Sequence, residues 1–199
     1  MNFDQLVLAS GNKGKVAEFN SLFGEYGIKV TPQSAFDIPD VPETGTTFVE
    51  NAIIKARHAA SLANMPAIAD DSGLVVEALH GAPGIYSARY AGVHGDNEAN
   101  NAKLLKTLDG IDNRQAKFLC VLVFMRSADD PTPIICQGEW HGNITQAASG
   151  SGGFGYDPVF YVQEHNCTAA ELDKSVKNRE SHRGKALKQL MPAIQSLLK

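Results

Sequence analysis

Gln115-Ala116-Lys117-Phe118-Leu119-Cys120-Val121-Leu122-Val123-Phe124-Met125, followed by Asp129-Asp130-Pro131 and then by Ile134 to Thr145, is the stretch that decides the fold. Both flanking segments have strand character, and the short Asp-Asp-Pro turn joins them in the manner of an antiparallel pair. Its apolar core, Phe118 to Met125, is the longest uninterrupted apolar run in the chain. That run is one strand long and far short of the roughly 18 residues of a membrane span. Upstream the pattern alternates. Leu6-Val7-Leu8-Ala9 stops at Ser10-Gly11-Asn12, after which Val16, Phe19, Leu22 and Phe23 recur at helical spacing, and Ile28 to Thr31 reads as a second strand. Pro32 through Gly45 is a loop rich in proline and acid. Thr47 and Glu50 then form a capping box, which places a long amphipathic helix over Phe48 to Asn64, with Ala52, Ala56, Ala59 and Ala63 on one stripe. Ala67-Ile68-Ala69 is a buried strand running into Asp70-Asp71-Ser72-Gly73, and Leu74-Val75-Val76 resumes β character. Downstream of a helix over Asn97 to Leu108 and the antiparallel pair come glycines 150, 152, 153 and 155 and a final helix, which Pro192 is expected to kink or restart. The order predicts a mixed α/β sheet with an antiparallel component rather than a purely doubly wound one.

Composition narrows the class. With 199 residues, 43% hydrophobic and 20% charged, the chain is an ordinary globular protein of one domain, 1–199, with scope for two lobes. About 70% of the unfolded surface can be buried at this size, enough to dispense with disulfides or structural metal. Cys120, Cys136 and Cys167 are odd in number and widely spaced, so neither a disulfide framework nor a zinc site is encoded. The opening Met1-Asn2-Phe3-Asp4-Gln5 lacks a basic stretch before an apolar run. No secretory signal is expected, and cytoplasmic residence with no membrane partner is. Eighteen Lys and Arg against 22 Asp and Glu leave a net charge of −4, which argues against a nucleic-acid coat.

Four segments carry candidate chemistry. Ser10-Gly11-Asn12-Lys13-Gly14-Lys15 puts two lysines at the positive end of a helix, which suits either an anion cradle or a capped helix with its lysines in water. It is not a Walker A loop. Asp70-Asp71 place adjacent carboxylates at a buried strand, where a divalent cation would relieve their repulsion, with Glu43 a further ligand. Magnesium fits, since it takes one or two carboxylates and completes its shell with water and phosphate oxygens. A plain Asx turn fits the same residues. In Gly152-Gly153-Phe154-Gly155-Tyr156-Asp157-Pro158 an aromatic between glycines suits base stacking, and equally a ring tucked into the core. Lys177, His182 and Arg183 gather donors around the start of the last helix, as a ligand pocket or as a solvated basic face.

The order and content of these segments resemble the inosine/xanthosine triphosphate pyrophosphatase family, the Ham1-like enzymes that clear deaminated purine nucleotides from the pool. The resemblance rests on Ser10-Gly11-Asn12-x-x-Lys15-x-x-Glu18, Glu43-Thr44-Gly45-x-Thr47-Phe48-x-Glu50-Asn51-Ala52, Ala69 to Leu74, Gly81 to Tyr90, Gly153 to Pro158 and Ser181-His182-Arg183-Gly184. Ser10 stands where Thr is also common, which keeps the hydroxyl. The resemblance implies a mixed twisted sheet in two lobes with a long central cleft, assembled as a homodimer. It implies Mg²⁺-dependent hydrolysis of ITP, dITP and XTP to the monophosphate and pyrophosphate. In that scheme Ser10, Gly11, Asn12, Lys13, Gly14, Lys15 and Ser72 hold the triphosphate, and Asp71 and Glu43 hold the metal. Asp71 or its metal activates water with Asp70 tuning it, while Phe154, Gly155, Tyr156, Asp157, Lys177, His182 and Arg183 take base and ribose. Two rivals remain open: a purine nucleotide sensor without turnover, and a sister pyrophosphatase for modified pyrimidine nucleotides.

Overall fold

The computed structural model describes residues 3–198, the side chains of Lys13 and Leu198 excepted. Seven strands form one sheet in the order β2-β1-β3-β4-β5-β6-β7, with β1 Gln5–Leu8, β2 Lys29–Pro32, β3 Ala67–Val76, β4 Gln115–Met125, β5 Ile134–Ile144, β6 Phe160–Val162 and β7 Cys167–Thr168. The sheet is mixed, as the sequence predicts: β1 pairs parallel with β2 and β3, whereas β6 pairs antiparallel with β5 and β7. The helices are α1 Lys13–Gly24, α2 Phe48–Ala63, α3 Asn97–Thr107, α4 Lys174–Glu180 and α5 His182–Leu198.

Three local readings change. The segment Asp70-Asp71-Ser72-Gly73 is no turn, because β3 runs through it unbroken. An extended backbone lets successive side chains leave on opposite faces, and that outcome bears on the carboxylates below. Of the two outcomes expected at Pro192, a kink or a restart, the restart does not occur: α5 continues past it to Leu198. Burial of Leu187, Leu190 and Ile194 on one stripe offsets the missing N–H. The short α4 and the two short strands β6 and β7 give too few residues for a periodic signal and are found only in the structure.

Two compact units share the chain. Among the described residues the first comprises 3–71, 121–137 and 186–198, and the second 72–120 and 138–185. In the first, Leu6, Val7, Leu8, Phe19, Phe23 and Ile68 are fully buried. Phe19 and Phe23, one helical turn apart, stack with centroids 6.1 Å apart. The second has its own apolar cluster, built on Leu74, Leu104, Phe118, Trp140, Tyr156 and Phe160. Among the described residues no helix is long and apolar enough to cross a membrane.

Candidate active site

The first unit's chemistry begins at the α2 N-terminus. Thr47 accepts from Glu50 N while Glu50 Oε2 accepts from Thr46 N and Thr47 N, completing the capping box. These bonds hold the Glu50 carboxyl below its ordinary pKa, the Thr47 hydroxyl contributing most. Immediately upstream, Gly45 donates to the buried Asn51 Oδ1 at 2.9 Å. A Cβ on Gly45 would sit 2.6 Å from the Glu50 Cβ and 2.7 Å from Asn51 Oδ1, so only glycine lets the loop lie this close. That closeness presents Glu43 to α2. Lys55, one turn beyond Asn51 on the same helix face, bonds Glu43 Oε1 at 2.9 Å and Asp71 Oδ1 at 3.2 Å.

Asp70 and Asp71 are not a dyad. Pleating sends Asp70 to Lys15, whose ammonium lies 2.8 Å from both of its carboxylate oxygens, and sends Asp71 to Lys55. The expected repulsion between neighbours is therefore relieved by one lysine on each. Three carboxylates, Glu43, Asp70 and Asp71, face two ammonium groups, Lys15 and Lys55. Burial raises Asp71, and Glu43 adds to the rise against the pull of Lys55. Burial lowers Lys55, yet Asp71, Asp70 and Glu43 outweigh it and leave the ammonium above its ordinary value. The Asp71 rise thus comes first from burial and then from Glu43, while the Lys55 rise comes from the three carboxylates around it. In addition, Asp71 Oδ2 is buried without a well-formed hydrogen bond among the described residues, and the Asn51 amide near it only partly offsets the rise of the Asp71 carboxyl. A carboxylate oxygen so placed beside a second carboxylate fits a divalent cation. Among the described residues no three His, Cys, Asp or Glu converge into a ready-made metal cage.

The Ser10 to Lys15 segment is a capped helix start. Asn12 Oδ1 accepts from Gly14 N at 2.9 Å and Lys15 N at 3.2 Å, and Ser10 Oγ accepts from Asn12 N at 3.2 Å. Lys15 turns to Asp70 rather than to water, which decides against a purely solvated role for it. The side chain of Lys13 lies outside the described residues. Ser72 follows Asp71 on β3 and is half-buried.

In the second unit the glycine-rich turn leaves Phe154 60% exposed, so this ring is not tucked into the core. Asp157, 3% exposed, accepts from Phe154 N at 2.6 Å and pairs with Lys177, whose ammonium lies 5.0 Å from the Phe154 ring centre. A Cβ on Gly153 would fall 2.2 Å from Asp157 Oδ2, and its φ of +74° is itself a glycine conformation. Tyr156 lies in the core: its ring is 4% exposed and its hydroxyl donates to Ser87 O at 2.8 Å. Burial pushes its phenol pKa well up. His182 opens α5 and lies flat on Phe118, with ring centroids 4.9 Å apart at 14°. Arg183 follows it, half-buried.

Lys55 escaped the sequence reading, and Asn51 entered it only within the motif that carries the resemblance. The signal was present, since a lysine four residues after an asparagine borders the alanine stripe of α2, but nothing in the sequence showed that this edge meets Asp71.

The model of the Ham1 family matches residues 6–193. A dITP/XTP pyrophosphatase of Vibrio cholerae is 57% identical over 193 residues, 96% of each chain. One of Shewanella oneidensis is 59% identical over 192 residues, 96% of this chain and 94% of that relative. Among solved structures, a HAM1 protein from Coxiella burnetii superposes with a TM-score of 0.94 at 49% identity, covering 98% of this chain and all of that one. The Staphylococcus aureus Ham1 protein gives 0.90 at 42% identity, covering 97% and 99%.

Proposed function

Because this chain belongs to the Ham1 family over nearly its whole length, we propose that it is a nucleoside triphosphate pyrophosphatase that converts dITP, ITP and XTP to the monophosphate and pyrophosphate. The observation that carries the chemistry is the convergence of Glu43 and Asp71 on Lys55, with a buried carboxylate oxygen of Asp71 that lacks a well-formed hydrogen bond among the described residues. Glu43 and Asp71 would hold Mg²⁺, which when bound polarises phosphate oxygens and lowers the pKa of water. Asp71 accepts the proton of the water that attacks the α-phosphorus, and pyrophosphate departs. Lys15 and Lys55 meet the developing phosphate charge, and Asp70 holds Lys15 in place. The Ser10 to Lys15 backbone and Ser72 belong to triphosphate binding in this reading.

Base choice follows from donors and acceptors. Hypoxanthine and xanthine offer a 6-keto acceptor where adenine offers a 6-amino donor, and Lys177, His182 and Arg183 supply donors. An adenine would leave donors facing a donor, at about 1–3 kcal/mol for each buried group left unsatisfied. The exposed Phe154 ring supplies a stacking surface suited to a purine. We further read the chain as a cytoplasmic homodimer with neither nucleic-acid nor membrane partners. Tyr86 and Val93, 57% and 66% exposed, support a partner face around residues 84–93, and the three free cysteines suit a reducing compartment.

Incubation with ITP, dITP, XTP, GTP, ATP and modified pyrimidine triphosphates with Mg²⁺ tests this reading. Pyrophosphate release from the first three and little from ATP is expected. Binding without turnover would favour the nucleotide sensor, and release of orthophosphate would exclude α-phosphorus cleavage.

A further inference from the structure

The Phe154 ring is mostly solvent-exposed, so packing cannot fix the angle at which it meets a base. Its backbone must do so, and the anchors of that backbone are visible. On one side Asp157 accepts from Phe154 N at 2.6 Å, and Asp157 N returns to Phe154 O at 3.3 Å. Two residues on, Tyr156 is buried and tied to Ser87 O. Between these anchors lies the Gly155 peptide, with a φ of +63° and no side chain to steady it. Its carbonyl accepts from Asn101 Nδ2, on α3, at 3.0 Å. Leu104 of α3 shares a buried apolar cluster with Tyr156, but between α3 and the Phe154 side of the turn lies a cavity of about 510 Å³, lined by Asn97, Asn101, Leu105, Gly152, Phe154 and Pro158. Asn101 Oδ1 is buried with no hydrogen-bond partner among the described residues, so this amide is only half satisfied. A half-satisfied buried amide is a poor device for stability alone, which directs attention to what its one donated bond positions.

We propose that Asn101 is a positioning residue for base recognition, acting through the Gly155 carbonyl on the attitude of the Phe154 ring. The inference rests on the proposed pyrophosphatase reading and adds a residue on α3, outside the glycine-rich turn and the α4–α5 basic cluster. Asn101→Asp keeps the shape but replaces the donor with an acceptor facing the carbonyl. Asn101→Ala removes the side chain beyond Cβ.

Steady-state pyrophosphate release from ITP and ATP with Mg²⁺ is to be measured for the full-length wild type, both Asn101 variants, Phe154→Ala, and the Asn101→Asp/Phe154→Ala pair. Losing one hydrogen bond to the turn raises KM for ITP about 5- to 10-fold in either Asn101 variant. The value of kcat moves less than twofold, and the ITP-to-ATP preference narrows. In the Phe154→Ala background Asn101→Asp adds nothing, since the ring through which it acts is gone. A parallel fall in kcat and melting temperature at unchanged KM overturns the role, and so does an Asn101 effect that persists in full without Phe154. Wild-type turnover with unaltered Asn101 variants overturns this inference alone. Absence of wild-type turnover of ITP overturns the reading of function and this inference with it.

Discussion

Asp71 is buried beside Glu43 and Lys55, and its carboxyl titrates above the ordinary value of 3.8. A carboxyl that holds its proton more tightly than a free aspartate makes a cation compete with that proton. The Mg²⁺ concentration that gives half-maximal pyrophosphate release from ITP is therefore expected to rise as pH falls through the raised pKa. A requirement that does not change with pH would take Asp71 out of the metal site. Asp71→Asn should fold and lose about 10²–10⁴-fold in turnover, the range for a general base. Near wild-type rates would move the role to another carboxylate. Stability carries the opposite sign. Ionising a carboxyl whose folded pKa is raised costs the folded state nothing below 3.8 and its full amount above the folded pKa. The melting temperature of Asp71→Asn minus that of the wild type should thus grow as pH rises through that window, and a flat difference would show that burial imposes no such cost. Arg183 belongs to the same scale. Its guanidinium can only donate, so Arg183→Ala should reduce kcat/KM for ITP far more than for ATP. Equal losses would place Arg183 on phosphate or in the fold.

At the scale of elements, the N-terminus of α2 serves the site as well as the helix. Thr47 and Glu50 close the cap, and Gly45 docks on Asn51 directly after the segment that carries Glu43. Thr47→Ala should cost about 1 kcal/mol in chemical denaturation. Glu50 has a lowered pKa, so its contribution is present above the ordinary 4.5 and is lost as pH falls through the lowered value. The variant, lacking the hydroxyl that lowers Glu50 most, should show a shallower acid dependence of stability. The glycine-rich turn is the second functional element. A methyl on Gly153 meets Asp157 Oδ2 and the Lys177 ammonium at a positive φ, so Gly153→Ala imposes strain of about 1–3 kcal/mol. Its signature should be a raised KM for ITP, because Asp157 and Lys177 must shift and Phe154 with them. An unchanged KM would detach the turn from base binding.

For the whole molecule, a partner face around Tyr86 and Val93 predicts a solution mass twice the 21.3 kDa of one chain. Light scattering at micromolar concentration checks it, and a single-chain mass removes the dimer. The mixed sheet, its long strands, the α2 helix with its cap and most of the candidate residues were legible in the sequence. Periodicity, capping and turn chemistry are local, and a sequence reports local rules directly. The pairing of charges was not local. Lys15 reaches Asp70 across 55 residues, and Lys55 reaches Asp71 from a helix face that the sequence marks only as the border of an alanine stripe. Likewise the sequence could not choose between Tyr156 and Phe154 as the exposed ring. Their burial depends on which way a glycine-rich turn carries each, and a core assembled from distant strands settles that. The sequence alone determined which elements form and which chemical groups are available. Tertiary structure decided which groups meet, because an ion pair or a buried ring is set by distances between segments that no local rule contains.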